Sequence, residues 1–181
     1  MKKYPFLILL ALLCLVVSVS GCVSSGNETN NTTSHYSQNG ISFDYPGTWN
    51  TANAVSNNSL AAVGDPKSVD NTTGEPQTFV LIQKSNATSS DLQTAYDANY
   101  ASLFTNTSYQ RVSEGNITVN GATALENVYT VNSTSGTAMQ MQAVWLKENS
   151  DIYVILCGAT QSDFNNQQDN FNMVINSFKV Q

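Results

Sequence analysis

Asn120-Gly121 is the stretch that most narrows what this chain can fold into. Ile117 and Val119 alternate with polar neighbours before it, and Ala122 to Val131 runs back after it. An Asn-Gly pair adopts positive φ readily, which gives the type I′ turn whose twist suits two antiparallel strands. The pair therefore predicts a hairpin here, and hairpins build antiparallel sheets.

The flanking chain repeats that message. Ile41, Phe43 and Tyr45 alternate with Ser42 and Asp44, the pattern of a half-buried strand. Pro46-Gly47 then turns the chain, and Trp49 follows as a large apolar plug. Leu60 to Val63 predicts a short second strand. Thr78 to Lys84 is nearly continuous in apolar residues and predicts a central third one. Met139, Met141, Ala143 and Trp145 alternate with Gln140 and Gln142. Asn149-Ser150-Asp151 turns the chain into Ile152 to Gly158, a second central strand. Two helices interrupt these strands. Ser90 to Gln93 has the S-x-x-Q form of a capping box, which predicts a helix from Asp91 to about Phe104 with Leu92, Ala95, Tyr96, Asn99 and Leu103 on one face. Ser162 or Asp163 opens the second, with Phe164, Gln168, Phe171, Val174, Ile175 and Phe178 at helical spacing. Strands, helix, antiparallel strands, helix, with no βαβ rhythm, make an α+β fold: an antiparallel sheet packed by helices.

The N-terminus carries a different signal. Lys2 and Lys3 precede a 14-residue run, Phe6 to Val19, that is apolar except for Ser18. That is the length of a signal-peptide core and short of the ~20 residues that span a bilayer. Val19-Ser20-Gly21-Cys22 closes the run and resembles a lipoprotein lipobox. The resemblance implies cleavage before Cys22 and lipidation of its thiol, and the other reading is an uncleaved N-terminal membrane helix. The expected organisation is a signal peptide over 1–21, a lipidated N-terminus and flexible polar linker over 22–37, and one domain over 38–181. The lone His35 falls in that linker and reads as solvated.

Removal of residues 1–21 takes Lys plus Arg from 7 to 5 against 13 Asp plus Glu, a net charge of about −8. That disfavours nucleic acid as a partner, because phosphate contacts need a basic footprint. Of the 3 cysteines, Cys14 lies in the signal segment and Cys22 is the lipid candidate. Cys157 then has no intramolecular partner, so the fold rests on its apolar core. Asn-X-Ser/Thr sequons occur at Asn27, Asn30, Asn31, Asn57, Asn71, Asn86, Asn106, Asn116 and Asn132. Occupied sequons would supply the solubilising layer that few charges leave missing. An archaeal cell surface suits lipidation and N-glycans together.

Four stretches taken in order support a family resemblance. They are Asn39-Gly-Ile-Ser-Phe-Asp-Tyr-Pro46 with Trp49, Ile117-Thr-Val-Asn-Gly-Ala122, Tyr153-Val-Ile155, and Phe171-Asn-Met-Val-Ile-Asn-Ser-Phe-Lys179. Together they resemble the PsbP-like domains, named after an extrinsic protein of photosystem II and sharing a fold with a Ran-binding nuclear-import protein. The resemblance covers about Tyr36 to Gln181. It implies a sheet of about six or seven antiparallel strands sandwiched by helices, and a history of binding, assembly or stabilising roles without catalysis. No ion-binding or photosystem-docking residues of the plant protein are matched here.

Few residues suggest chemistry. A single His and no second thiol leave almost no zinc ligands. Cys157 lies inside an apolar strand and reads as packing. No P-loop, G-x-G-x-x-G or G-x-S-x-G elbow occurs. The cluster worth testing is Gly64 to Pro76, where Asp65, Asp70, Asn71 and Glu75 supply oxygens suited to a hard cation such as Ca2+; its ordinary reading is a solvated acidic loop. The stripe Met139, Met141 and Trp145 is either core or an adaptable partner surface, and Tyr96 with Tyr100 carries the same two readings. The sequence thus leads to a non-enzymatic, cofactor-free lipoprotein on the extracytoplasmic face of the membrane, binding a protein partner. The alternative is a glycan-coated envelope component without a specific ligand.

Overall fold

Two-residue turns set the strand pairing. In the computed structural model, which describes residues 32–52, 58–85, 91–132 and 136–181, Asn120 and Gly121 have φ of 50° and 83° and join β6 (Tyr109–Val119) to β7 (Ala122–Asn132). Asn39 and Gly40, with φ of 55° and 74°, join β1 (Thr33–Gln38) to β2 (Ile41–Pro46) in the same way. Asn149-Ser150 joins β8 (Ala138–Glu148) to β9 (Asp151–Thr160). Shorter strands β3 (Asn50–Ala52), β4 (Ser59–Gly64), β5 (Phe79–Lys84) and β10 (Lys179–Val180) complete the set. Helices α1 (Leu92–Leu103) and α2 (Gln168–Ser177) follow β5 and β9.

Seven strands form one antiparallel sheet in the order β3-β4-β5-β9-β8-β7-β6, and β1, β2 and β10 form a second. The large sheet separates two apolar cores. On one face Val80, Ile82, Val144, Ile155 and Cys157 pack under α2 and the small sheet, against Phe43, Trp49, Phe171, Val174 and Phe178. On the other Tyr129, Met141, Trp145, Val154 and Leu156 pack under α1, against Ala95, Tyr96, Tyr100 and Leu103. The α+β expectation holds, with a sheet of seven strands and a further sheet of three. Trp49 sits against Phe171, edge to face, 6.5 Å between ring centres.

Several boundaries differ from the sequence reading, each for a physical reason. The expected linker overlaps β1, which starts at Thr33 and pairs with β2 over its full length. Polar Thr-Ser-His-Tyr-Ser-Gln pairs because its backbone finds β2, while its side chains stay largely exposed. His35 is accordingly no loose filler: its Nδ1 lies 2.6 Å from Asp44 Oδ1 on the facing strand. Strand β6 begins at Tyr109, well before Ile117. Most of it is exposed, so no apolar alternation marks it. The N-cap of α1 is Asp91, whose carboxylate accepts from the Thr94 N–H at 2.8 Å; Ser90 lies outside the described residues. Tyr100 joins the buried face of α1, and Asn99 sits at its margin. A 3-10 turn over Phe164–Gln167 precedes α2, which starts at Gln168. Among the described residues no helix is long and apolar enough to cross a membrane.

Trp145 is 1% exposed, and its indole N–H donates to the Tyr100 hydroxyl at 3.1 Å. Trp145→Ala is expected to cost about 3–5 kcal/mol in chemical denaturation. Trp145→Phe, which keeps a ring and loses the donor, should cost about 1–3 kcal/mol. Gly121→Ala forces a Cβ into the left-handed region at an otherwise open site and should cost about 1–2 kcal/mol.

Candidate binding surface

Helix α1 lays an aromatic row onto the sheet. Tyr96 and Tyr100 stand one turn apart with ring centres 4.6 Å apart. Trp145 meets both edge to face at 6.0 Å, and Phe104 stacks on Tyr100 at 5.7 Å. The polar tips are bonded internally. Tyr96 donates to the Glu126 carbonyl at 2.9 Å and accepts from Asn127 Nδ2 at 2.8 Å. The stripe Met139, Met141 and Trp145 is buried beneath this layer, which makes it core and removes it as an exposed partner face. Burial raises the Tyr100 and Tyr129 phenols well above their usual range, so both are neutral at physiological pH.

Beside α1 a small cleft opens between Gln83 and Asn99, floored by Tyr100, Leu103, Trp145 and Leu156. Its volume of about 20 Å3 admits one water and no organic ligand. The rim towards β6 carries the charge. A bulge between Arg111 and Ser113 leaves Val112 outside the pairing and 56% exposed. Residues three apart on a regular strand point to opposite faces. The extra residue brings Arg111 (opposite Tyr129) and Glu114 (opposite Asn127) to the same face. There Arg111 pairs with Glu114 at 2.9 Å and lies 4.8 Å above the Phe104 ring.

The acidic loop does not gather its carboxylates. Asp65 accepts from the Lys67 N–H at 2.9 Å, capping a 3-10 turn over Pro66–Ser68. Asp70 accepts from the Thr72 and Thr73 N–H groups at 2.7 and 3.1 Å and from Gln77 Nε2 at 3.0 Å. The backbone of Glu75, through its carbonyl, accepts from the Asp70 N–H. These acids tie down turns, which is the ordinary use of Asp in a loop. No group of three or more metal-ligating side chains occurs among the described residues.

Cys157 is fully buried among apolar neighbours, and burial raises its thiol far above the ordinary range, so it stays protonated and inert. Of the sequons, Asn71, Asn106, Asn116 and Asn132 are all exposed. Asn106 also uses its side chain to accept from the Ser108 N–H at 3.0 Å. Cys22, Asn27, Asn30, Asn31, Asn57 and Asn86 lie outside the described residues. Sequence reasoning missed the Arg111–Glu114 rim and the pair formed by Gln142 Nε2 and Glu126 Oε1 at 2.6 Å. For that pair the sequence offers Gln142 only as one of two glutamines alternating with apolar residues along β8.

Two pH effects follow. Hydrogen bonds from Thr72 and Thr73 hold the Asp70 carboxyl below its ordinary value. A lowered folded pKa stabilises above the unfolded value and is lost as pH falls through the folded one. The loop's amide protection should therefore hold at pH 5 and fade below about pH 4, and Asp70→Asn should abolish that dependence. Tyr100 and Tyr129 have the opposite sign. Their raised values stabilise the fold below the unfolded value of about 10, and that contribution is lost as pH climbs above it. Alkaline titration should show phenolate absorbance from these two only together with loss of the folded signal.

Comparison with known proteins places this geometry. A family model described as "PsbP-like protein" matches residues 15–180. No curated protein matches by sequence. The chain is similar in structure to cyanobacterial PsbP (CyanoP) from Synechocystis sp. PCC 6803, with a TM-score of 0.60 at 15% identity, covering 88% of this chain and 98% of that one. It is also similar to LpqN, involved in cell envelope biogenesis of Mycobacterium tuberculosis, with a TM-score of 0.55 at 13% identity over 82% and 89% of the two chains. A Mog1 protein follows, with a TM-score of 0.53 at 11% identity over 83% and 96%. Identities this low speak for the fold, whereas the family match spans nearly the whole length. The chain belongs to the PsbP-like protein family.

Proposed function

We propose that this protein is a lipoprotein, held on the extracytoplasmic face of the membrane by Cys22, whose PsbP-like domain is a non-enzymatic binding or assembly module for a protein partner. The observation that carries the anchor is the lipobox-like Val19-Ser20-Gly21-Cys22 closing a 14-residue run with one polar residue. Two acyl or alkyl chains at ~0.8 kcal/mol per buried CH2 give stable attachment, which one chain does not. LpqN, a protein of the same fold involved in cell envelope biogenesis, supports an envelope setting.

The binding role is supported by where the polar groups go. Aromatic tips, the Asp65 and Asp70 carboxylates and the buried thiol are bonded internally or shielded, so recognition falls to preformed outer surfaces. The exposure of Asn71, Asn106, Asn116 and Asn132 favours a second reading, a glycan-coated structural component of the envelope.

Intact-mass analysis of protein from its native membrane is expected to show loss of residues 1–21 and a lipid adduct on Cys22. A Cys22→Ala protein that keeps the wild-type mass shift and membrane fraction would sink the anchor. Crosslinking on intact cells should recover one reproducible protein partner; dense sequon occupancy with no such partner would favour the structural reading instead.

A further inference from the structure

Two of the turns that set the strand pairing also tie the two sheets together. Asn39-Gly40 and Asn120-Gly121 are the only Asn-Gly pairs in the chain. Each asparagine sits at positive φ in a two-residue turn, and each sends its side-chain amide across to the other sheet. Asn39, between β1 and β2, donates through Nδ2 to the Leu60 carbonyl of β4 at 2.7 Å. The β4–β5 register shifts between Ser59 and Ala61, which leaves Leu60 outside the pairing and its carbonyl available. The Tyr36 hydroxyl donates to the same carbonyl at 3.0 Å. Asn120, between β6 and β7, donates through Nδ2 to the Phe178 carbonyl at 2.5 Å; the next residue, Lys179, opens β10 opposite Ser42 of β2. One clasp thus runs from the small sheet to the large, and the other from the large sheet to the chain entering the small. A carbonyl oxygen only accepts, so only the NH2 end of each amide makes these bonds.

The same pairs are chemically labile. Glycine has no Cβ to shield its nitrogen, so in Asn-Gly the glycine nitrogen attacks the asparagine Cγ. A C–N bond forms, and Nδ2 leaves as ammonia with the proton that the glycine nitrogen gives up. Water then opens the succinimide ring to aspartate or isoaspartate. The nitrogen expelled is the clasp's own donor. While Nδ2 is bonded to a carbonyl of the other sheet, Cγ cannot swing onto the glycine nitrogen, so a closed clasp blocks ring closure. Both asparagines are exposed, so each clasp opens to water by local fluctuation and reaction proceeds from that open fraction. The product does not close again. A carboxylate has no N–H to give, and isoaspartate adds a methylene to a turn whose pairing accommodates two residues.

We infer that Asn39 and Asn120 are modification sites guarded by the clasps they form, and that their spontaneous deamidation loosens the small sheet from the large one. The inference is independent of the Cys22 anchor. Two measurements on the full chain in detergent test it. The first follows amide loss at both positions by mass spectrometry of proteolytic peptides, at mildly alkaline pH, in the folded chain and in urea. Loss is expected to be severalfold slower in the folded chain; equal rates overturn the guard. The second compares Asn39→Asp and Asn120→Asp with Asn149→Asp. Aspartate visits the left-handed region, so all three turns form. Asn149 has φ of 56° in an exposed turn, and its side chain makes no hydrogen bond among the described residues, so it reports the new carboxylate alone. Asn39→Asp and Asn120→Asp are each expected to lower Tm by roughly 2–6 °C, and Asn149→Asp by less than about 1 °C. A shift at either position no larger than that at Asn149 overturns the clasp there.

Discussion

Burial of β9 on both faces is the constraint from which the rest of the structure follows. Ile152 to Ala159 is buried without interruption, so neither face of the sheet can be left to water. At about 25 cal/mol per Å2 of apolar surface, leaving one face bare would forfeit much of the margin of a fold stable by only 5–15 kcal/mol. One cover is α1; the other is α2 joined to the small sheet. Gly158 shows how tight the fit is. A Cβ there would come within 2.7 Å of the Phe79 ring, so β5 and β9 keep their spacing only because that side chain is absent.

The two covers are built differently. The α2 side is aliphatic and phenylalanine-rich and closes around Phe43, Phe171 and Phe178. The α1 side is tyrosine-rich, and tyrosine brings a hydroxyl that must be paired when buried. Tyr96, Asn127, Tyr100 and Trp145 answer that need with directed bonds. These bonds contribute little net energy, about 1 kcal/mol each, but they select one docking angle for α1 where grease alone would tolerate several.

What the sequence reveals and hides follows the same physics. Central strands are legible because burial leaves an apolar signature, and Asn120-Gly121 because its backbone demands those residues. Strands β1 and β6 are edge strands with exposed side chains, so nothing selects for alternation along them and their starts go unread. The Arg111–Glu114 pair was invisible because a regular strand would separate the two residues; the bulge at Val112 creates the contact. In the 65–77 loop the acids stood out by composition. Their use depended on which N–H each one faces, and that is decided by turn geometry that no spacing rule reports.

Edge control and binding are linked through that bulge. An 11-residue edge strand offers a row of unpaired backbone groups to any other strand. Along β6 the bulge, the Arg111–Glu114 pair, Gly115 and the sequon residue Asn116 interrupt that row, while β3 at the other edge has three residues only. Both edges of the large sheet are thus poor templates for strand addition. The cleft beside α1 is too small for a ligand, and the Met and Trp stripe is covered. To the partner proposed above the described residues offer mainly polar surface, on helix backs and turn tips, in a chain with few charges. Such surfaces bury modest apolar area and bind by shape and hydrogen bonds, which yields weak single contacts. Weak contacts become useful when both partners are confined to one membrane, where a tether raises effective concentration without adding a contact. A domain with this surface would therefore gain more from the proposed lipid at Cys22 than one with a deep pocket.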